Sequence, residues 1–298
     1  MREVDPTIDM SAVVHVLSDR YGYNGRDPVF VPLGGDSWCF RAGALWVSVR
    51  RDREGHVPEA YEAAVQLHEQ GCGFVLAPLR GSDGLVVHPA GRHPVVVSPF
   101  RSGEALHAQS VSDTEAVAAI LAELHAASVA VRLPREDYRF PFQRELEDAL
   151  SIACAQDTDA GPYSGRVQRL VRAHRTYLDA IMEEADTIAE QCRTDTAPLV
   201  LTHGEPNGNI LRAADGHLDL FDWGSLALGP PERDWWDFEH LPAEVVVRPG
   251  YKRFYELRWI LGEVAEYVWR FVHAHGGDSD DESMFDELCM YFPRPPNI

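Results

Sequence analysis

The spacing of apolar residues changes character about a third of the way along the chain. Asp9 to Tyr21 repeats with a helical period that places Val13, Val14 and Leu17 on one side, and Asp9 or Ser11 can cap its start. Short β-rich pieces follow at Val29 to Leu33, Trp38 to Ala42 and Leu45 to Arg50. Gly34-Gly35-Asp36-Ser37 separates the first two and an Ala-Gly-Ala turn the next two, the pattern of a three-strand meander. Pro58 to Gly71 predicts a helix with a glycine stop. Phe74 to Pro78, Gly84 to His88 and Pro94 to Pro99 predict two or three further short strands.

From about Gly103 the period turns helical. Asp113 to Ala127 carries Val117, Ile120, Leu121 and Leu124 on one stripe, and residues 142–153, 165–192 and 251–273 predict the other long helices. A compact β-like insert, Leu199 to Trp223, lies between the last two. Asp278 to Glu287 reads as a solvated acidic loop running into a short terminal helix. The expectation is an α+β chain in two parts: a small antiparallel sheet with an embedded helix over 1–100, and a larger, mainly helical part over 101–298.

Composition narrows the function. The 298 residues include 47 acids against 27 bases, a formal net charge of −20, and 45% are apolar. Nucleic-acid and anionic-membrane partners are built on clustered Lys and Arg, so this acidity argues against both. No apolar run approaches a membrane span, and the N-terminus has no signal-peptide character; the expected location is cytoplasmic. Five scattered cysteines without a C-x-x-C pair suit reduced thiols. The sharpest compositional fact is that all bases but one are Arg. Lys252 is the single lysine, so no function needing a lysine in the first five-sixths of the chain is possible.

The densest chemistry lies in residues 200–238, VLTHGEPNGNILRAADGHLDLFDWGSLALGPPERDWWDF. A strand end at Leu199 to Leu201 delivers His203, Gly204 and Glu205, with Asn209 after them. A hairpin turns at Asp215-Gly216, and a second strand, Leu218 to Phe221, ends in Asp222. This ordering sets a carboxylate, a carboxamide and a second carboxylate at adjacent strand ends. Phosphoryl transfer uses such a set: a carboxylate to orient or deprotonate an alcohol, and oxygen donors for Mg²⁺ on nucleotide phosphates.

His-Gly-Glu-x-x-x-Asn followed by Phe-Asp-Trp resembles the phosphotransferase motif of aminoglycoside and related antibiotic kinases. Their fold is similar to that of protein kinases, with two lobes. The resemblance runs through nearly the whole chain: LGGDSWCFRAG resembles the phosphate-covering turn, LAELHAA the helix ending in Leu-His, GPPERDWWDF the segment after the metal-binding Asp, and YELRWILGEVAEYV the late helix beside the acceptor. Together with VVVSPFRSGEAL, the last two look closest to the spectinomycin-phosphotransferase branch. The resemblance implies that Glu205 is the catalytic carboxylate, Asn209 and Asp222 the Mg²⁺ ligands, His203 a buttress of the loop and Asp234 a structural acid. The family has Asp at the place of Glu205 and one more residue before the Asn. A deleted residue removes up to about 3.3 Å of reach, of which an extra methylene restores on the order of 1.5 Å.

Kinase-like enzymes grip the nucleotide phosphates with a lysine on the third strand, paired to a helix Glu. Here the strand ALWVSVRRD offers Arg50 or Arg51. Alternation puts Trp46, Ser48 and Arg50 opposite Val47 and Val49, which selects Arg50. Its expected partner is Glu59, with Glu62 as the alternative. Gly34, Gly35, Asp36 and Ser37 are expected to face the phosphates, and backbone groups of Val97, Ser98 and Pro99 the base. Asp237, Glu239, Trp259, Glu263 and Glu266 are candidates for a cationic acceptor, and His68, His88 and His174 are expected at surface or helix positions without a role. These readings converge on a small-molecule O-phosphotransferase using ATP or GTP with Mg²⁺, most simply an antibiotic kinase. A nucleoside antibiotic, a macrolide or a metabolite alcohol is the alternative acceptor. A pseudokinase that binds nucleotide without transfer is the alternative class, motivated by the shortened loop. Oligomeric state and base preference are not legible.

Overall fold

Strict alternation in the first strands has a direct structural result. In the computed structural model, which describes residues 2–33, 35, 37–51, 57–108, 110–155 and 159–293, Val47 and Val49 are fully buried. They lie in a five-stranded antiparallel sheet ordered β1 (Val29–Val31), β2 (Ser37–Ala42), β3 (Leu45–Arg50), β5 (His93–Pro99) and β4 (Val87–Ala90). One face of this sheet packs Trp38, Phe40, Val47, Val49, Val95 and Val97 against Val13, Val16 and Leu17 of α1 (Met10–Tyr21). Asp9 caps α1 through the Ala12 N–H (3.1 Å), and Gly22 closes it in the left-handed conformation. The opposite face carries Ser37, Cys39 and Arg41 on β2 across from Arg50, Ser48 and Trp46 on β3.

Two compact units divide the chain. The first takes Met1–Glu136 and Ala197–Val247; the second takes Asp137–Thr196 and Arg248–Ile298. The sheet, α2 (Pro58–Glu69), α3 (Val111–Ala126) and the hairpin region all belong to the first. There, β6 (Glu104–Leu106), β8 (Ile210–Arg212) and β9 (Leu218–Leu220) form one small antiparallel sheet, and β7 (Val200–Thr202) pairs with β10 (Ala227–Gly229) in another. A core of Leu67, Val75, Leu121, Leu124, Leu201, Ile210, Leu220 and Trp223 holds α2, α3 and these strands together. The expected strand from Phe74 to Pro78 forms only a single parallel bridge, Val75 to Leu220. Its backbone nonetheless bonds β9 on both sides, through Leu220 N–H to Phe74 O (2.7 Å) and Leu76 N–H to Leu220 O (3.0 Å).

The second unit is helical: α4 (Gln143–Ala155), α5 (Ser164–Ala173), α6 (Arg175–Thr194), α7 (Pro249–Val272) and α8 (Ser279–Met290). The 24-residue α7 packs against α4 and α6. Three expectations are corrected. The helix expected over 165–192 breaks at His174, whose backbone leaves helical angles (φ −112°, ψ 17°) while its ring nitrogen bonds the Leu170 carbonyl (2.9 Å). The acidic run is helix rather than loop, because Asp278 caps α8 and three acids occupy its first turn, where the helix dipole favours them. His88 is buried between Tyr21 Oη (3.2 Å) and Asp83 Oδ1 (3.1 Å).

All five cysteines are free, and among the described residues no helix is long and apolar enough to cross a membrane. In α1 the core stripe is Val13, Val16 and Leu17, with Val14 exposed, because 3.6 residues per turn carry position 14 away from 13 and 17. Leu17→Ala should therefore cost about 2–5 kcal/mol of unfolding free energy in a urea titration. Val14→Ala should stay within about 0.5 kcal/mol.

Candidate active site

The hairpin region places its chemistry through backbone geometry. β7 runs into His203 and Gly204, and the segment 205–209 then leads into β8. Gly204 has φ +103°, and a Cβ there would stand 2.5 Å from the Arg233 guanidinium, so only glycine fits. Arg233 fills that space because it donates to the Thr202 carbonyl (3.1 Å) and to the Ser225 carbonyl (2.8 Å), bridging β7 to the turn after Asp222.

Asp234 lies beneath the loop with no solvent exposure. Its carboxylate accepts the N–H of Gly204 (2.6 Å), the N–H of His203 (3.1 Å) and Nε2–H of His125 (2.9 Å). Burial alone would raise its pKa; the His125 hydrogen bond and charge, with Arg233 and the Gly204 N–H, outweigh burial and hold it below the ordinary carboxylate value. His125 sits in the last turn of α3, so the Leu-His helix end is joined to the loop through this one acid.

His203 is buried, and its tautomer follows from its neighbours. Nε2–H donates to the Phe221 carbonyl (2.7 Å), and Nδ1 accepts the Glu205 N–H (3.4 Å). The ring meets Trp223 edge-on, with centroids 5.1 Å apart, and the His203 carbonyl accepts Ser225 Oγ–H (2.7 Å). The far end of the loop is held separately. Asn207 Oδ1 accepts the Ala108 N–H (2.9 Å) and the Gly208 N–H donates to the Leu106 carbonyl (3.3 Å). Gly208 has φ +87°, and a Cβ there would press on the His107 ring at 3.0 Å. Asn207 is thus committed to the backbone, and Asn209 is the carboxamide left beside Asp222.

Asn209 Nδ2 donates to the Glu205 carbonyl (2.8 Å). Because that carbonyl can only accept, the amide oxygen Oδ1 is turned the other way. The Phe221 N–H donates to the Asn209 carbonyl (3.0 Å), tying residue 209 to the strand that ends at Asp222. Asp222 adopts left-handed angles (φ 60°, ψ 63°), a conformation that Asp tolerates better than most residues, and opens the 3-10 turn Trp223–Ser225. Trp223 Nε1–H anchors that turn to the Leu76 carbonyl (3.2 Å). Two hard oxygen donors, Asn209 Oδ1 and the Asp222 carboxylate, suit Mg²⁺, which keeps several waters and takes few protein ligands. Among the described residues no group of three or more His, Cys, Asp or Glu is placed to hold a metal ion.

Arg50 ends β3 with its side chain 6% exposed. Its Nη2 meets Asp222 Oδ1 at 3.2 Å, and its guanidinium lies 5.9 Å from the Tyr61 ring of α2. The expected pair with Glu59 is not formed. Glu59 is exposed in the first turn of α2, where the helix dipole favours its charge, and Glu62 pairs with Arg80 (2.7 Å). Ser37 stands opposite Arg50 in the β2–β3 register, its hydroxyl turned to Cys39 Sγ (3.5 Å). Gly35 is exposed, while Gly34 and Asp36 fall outside the described residues. Val97, Ser98 and Pro99 close β5, within the strand expected over Pro94 to Pro99. Val97 O accepts the Leu79 N–H (2.7 Å), and Ser98 and Pro99 stand opposite Trp46 and Leu45.

Of the acceptor candidates, Asp237 is half-buried and Glu239 exposed in the first unit. Trp259, Glu263 and Glu266 are half-buried on α7 of the second. Trp259 Nε1–H donates to Tyr291 Oη (3.2 Å). Burial pushes the Tyr267 phenol upward, and the Glu263 and Glu287 carboxylates beside it add to the shift.

The model of the phosphotransferase enzyme family matches residues 44–267, three-quarters of the chain. The chain belongs to this family. The phosphotransferase is 43% identical over 277 residues to Protein StrN of Streptomyces griseus, covering 89% of this chain and 86% of that protein. Its fold is shared with a spectinomycin phosphotransferase solved with ADP and spectinomycin, at a TM-score of 0.77 and 14% identity, over 97% of this chain and 96% of that one. An aminoglycoside phosphotransferase from Alicyclobacillus acidocaldarius matches at a TM-score of 0.52 and 16% identity, over 97% and 93%. At these identities the two solved structures speak to the fold alone, which is that of the small-molecule kinases.

Sequence reasoning did not assign roles to His125, Arg233 or Asn207 in this phosphotransferase. His125 was visible only as part of the Leu-His helix end, and no local signal marks Arg233, because its partner Thr202 is distant in sequence and its partner Ser225 is met through a backbone carbonyl. The buttress has a pH signature. Burial holds the His203 imidazole below its ordinary value of 6.5, so on acidification the unfolded chain takes up a proton that the folded one refuses. His203 therefore contributes full stability above about pH 6.5 and loses it as pH falls toward the folded value. Unfolding free energies from urea titrations should decline through this range in the wild type and decline less in His203→Gln. An equal decline in both would assign the slope to another group.

Proposed function

We propose that this phosphotransferase moves the γ-phosphoryl group of ATP or GTP to a hydroxyl of a small molecule in an Mg²⁺-dependent reaction, and that the acceptor is an antibiotic of the aminoglycoside or aminocyclitol type. The reaction would confer resistance, in the cytoplasm, without a nucleic-acid or membrane partner. What supports this reading is that, inside one unit, Arg50 at the end of β3 pairs with Asp222, while Asn209 bonds the Glu205 carbonyl on a loop whose start is held by Asp234. In this reading residues 1–100 supply the nucleotide side and residues 101–298 the catalytic and acceptor side.

Glu205 orients the acceptor hydroxyl and takes its proton as the bond to phosphorus forms. His203 keeps the Glu205 backbone in place through Nδ1 and is itself neutral, so it holds position without entering the proton transfer. Arg50, always charged, offers a planar fork to phosphate oxygens. Ser37 and Gly35 are proposed to face those oxygens, together with Gly34 and Asp36, which lie outside the described residues. Val97, Ser98 and Pro99 end the strand beside which the base would lie. Asn209 and Asp222 would hold Mg²⁺, which when bound neutralises charge on the phosphates. Positioning and electrostatics carry most of phosphoryl-transfer catalysis, so a Glu in a shortened loop is compatible with turnover. Asp237, Glu239, Trp259, Glu263 and Glu266 are assigned to a cationic acceptor.

The test incubates the protein with ATP and GTP in parallel against aminoglycosides, spectinomycin, nucleoside antibiotics, macrolides and amino alcohols, and weighs the products. One acceptor should gain the mass of a phosphoryl group. Glu205→Ala should lower kcat by about 10²–10⁴ while leaving ADP affinity unchanged. Nucleotide binding with no phosphorylated product from any acceptor would favour the pseudokinase instead.

A further inference from the structure

The pairing of Arg50 with Asp222 carries a consequence for how ligands enter. The guanidinium that the fold aims toward nucleotide phosphate is seated on the carboxylate assigned to the metal, at 3.2 Å. Arg50 has little freedom to withdraw: it is 6% exposed, closed in by the Tyr61 ring, and set by the β2–β3 register opposite Ser37. Asp222 is the more accessible partner at 42%, and the turn that carries it is anchored by Trp223 to Leu76. A divalent cation arriving alone at Asp222 would meet a fixed positive charge already satisfying that carboxylate. A nucleotide arriving with its metal changes the balance, because its phosphates offer Arg50 an anion in place of Asp222 while the metal takes the carboxylate.

We infer that Arg50 is the counter-cation of Asp222 in the ligand-free protein and is handed from the carboxylate to the phosphates on binding. One guanidinium thereby makes metal and nucleotide binding mutually dependent. This rests on the reading above that Asp222 carries the metal. It adds that Arg50 is a positioning residue acting on metal affinity with the opposite sign to its effect on nucleotide affinity. By linkage, the factor by which nucleotide tightens metal equals the factor by which metal tightens nucleotide, and Arg50 enlarges both.

The test titrates Mn²⁺ by electron paramagnetic resonance of the free ion, and ADP by calorimetry, on the full chain. In the wild type, ADP should tighten Mn²⁺ by about tenfold or more. Arg50→Gln should bind Mn²⁺ without ADP about fivefold more tightly, bind ADP without metal about fivefold more weakly, and show a smaller coupling factor. Arg50→Lys, which keeps the charge, should leave metal-alone binding weak. A disrupted fold would lower both affinities together, and the opposite signs separate the handover from that outcome. If Arg50→Gln itself does not fold, Arg50→Lys decides: metal-alone binding as tight as the ADP-bound state overturns the inference. Unchanged or weaker Mn²⁺ binding in folded Arg50→Gln overturns it too, provided Asp222→Asn abolishes Mn²⁺ binding. If Asp222→Asn retains Mn²⁺–ADP binding, the metal assignment fails, and the handover with it.

Discussion

The ionised, fully buried carboxylate of Asp234 is the constraint on which the site depends. Taking a carboxylate out of water is costly unless several donors replace the solvent, and here three converge on it. The arrangement is reciprocal. The N–H groups of His203 and Gly204 leave the end of a strand inside the protein, where an unpaired donor would be expensive. Asp234 satisfies both and, through His125, fastens the end of α3 to the same point. A single acid thus fixes where a helix, a strand end and the start of the loop that follows it stand relative to one another.

That fixation limits how far the loop between β7 and β8 can move. Residues 203 and 204 are held by Asp234, and residues 207 and 208 by the backbone of Ala108 and Leu106. Only Glu205 and Pro206 lie between the two clamps, and proline has little conformational freedom. The backbone therefore has little slack with which to move a carboxylate toward an acceptor. The reach of residue 205 is thus set by its side chain rather than by the backbone.

Much of this was legible in the sequence, for reasons that differ by region. Alternation in Leu45 to Arg50 assigned faces correctly, because a central strand with one packed face leaves no second register. The hairpin expected between Leu199 and Trp223 is present as β8 and β9, because its two short strands turn at Asp215-Gly216. Placements that depended on contacts between distant segments did not survive. Glu59 and Glu62 share one helix face at i, i+3 spacing, but Glu59 is exposed in the first turn, where the helix dipole favours its charge, and Glu62 pairs with Arg80. Val97 to Pro99, by contrast, lie in β5, inside the strand expected over Pro94 to Pro99. His174 breaks a helix that periodicity shows as continuous, since the apolar stripe runs on through the break.

The placement of Lys252 has a practical corollary. It belongs to the second unit, so the unit holding the sheet, Arg50, Glu205, Asn209 and Asp222 contains no side-chain amine at all. Chemical probes that mark kinases by acylating the lysine beside the nucleotide phosphates have nothing to react with there. A chemoproteomic survey built on that reaction would pass over this enzyme even when its site is occupied. Guanidinium-directed reagents such as arylglyoxals are the chemistry suited to labelling it.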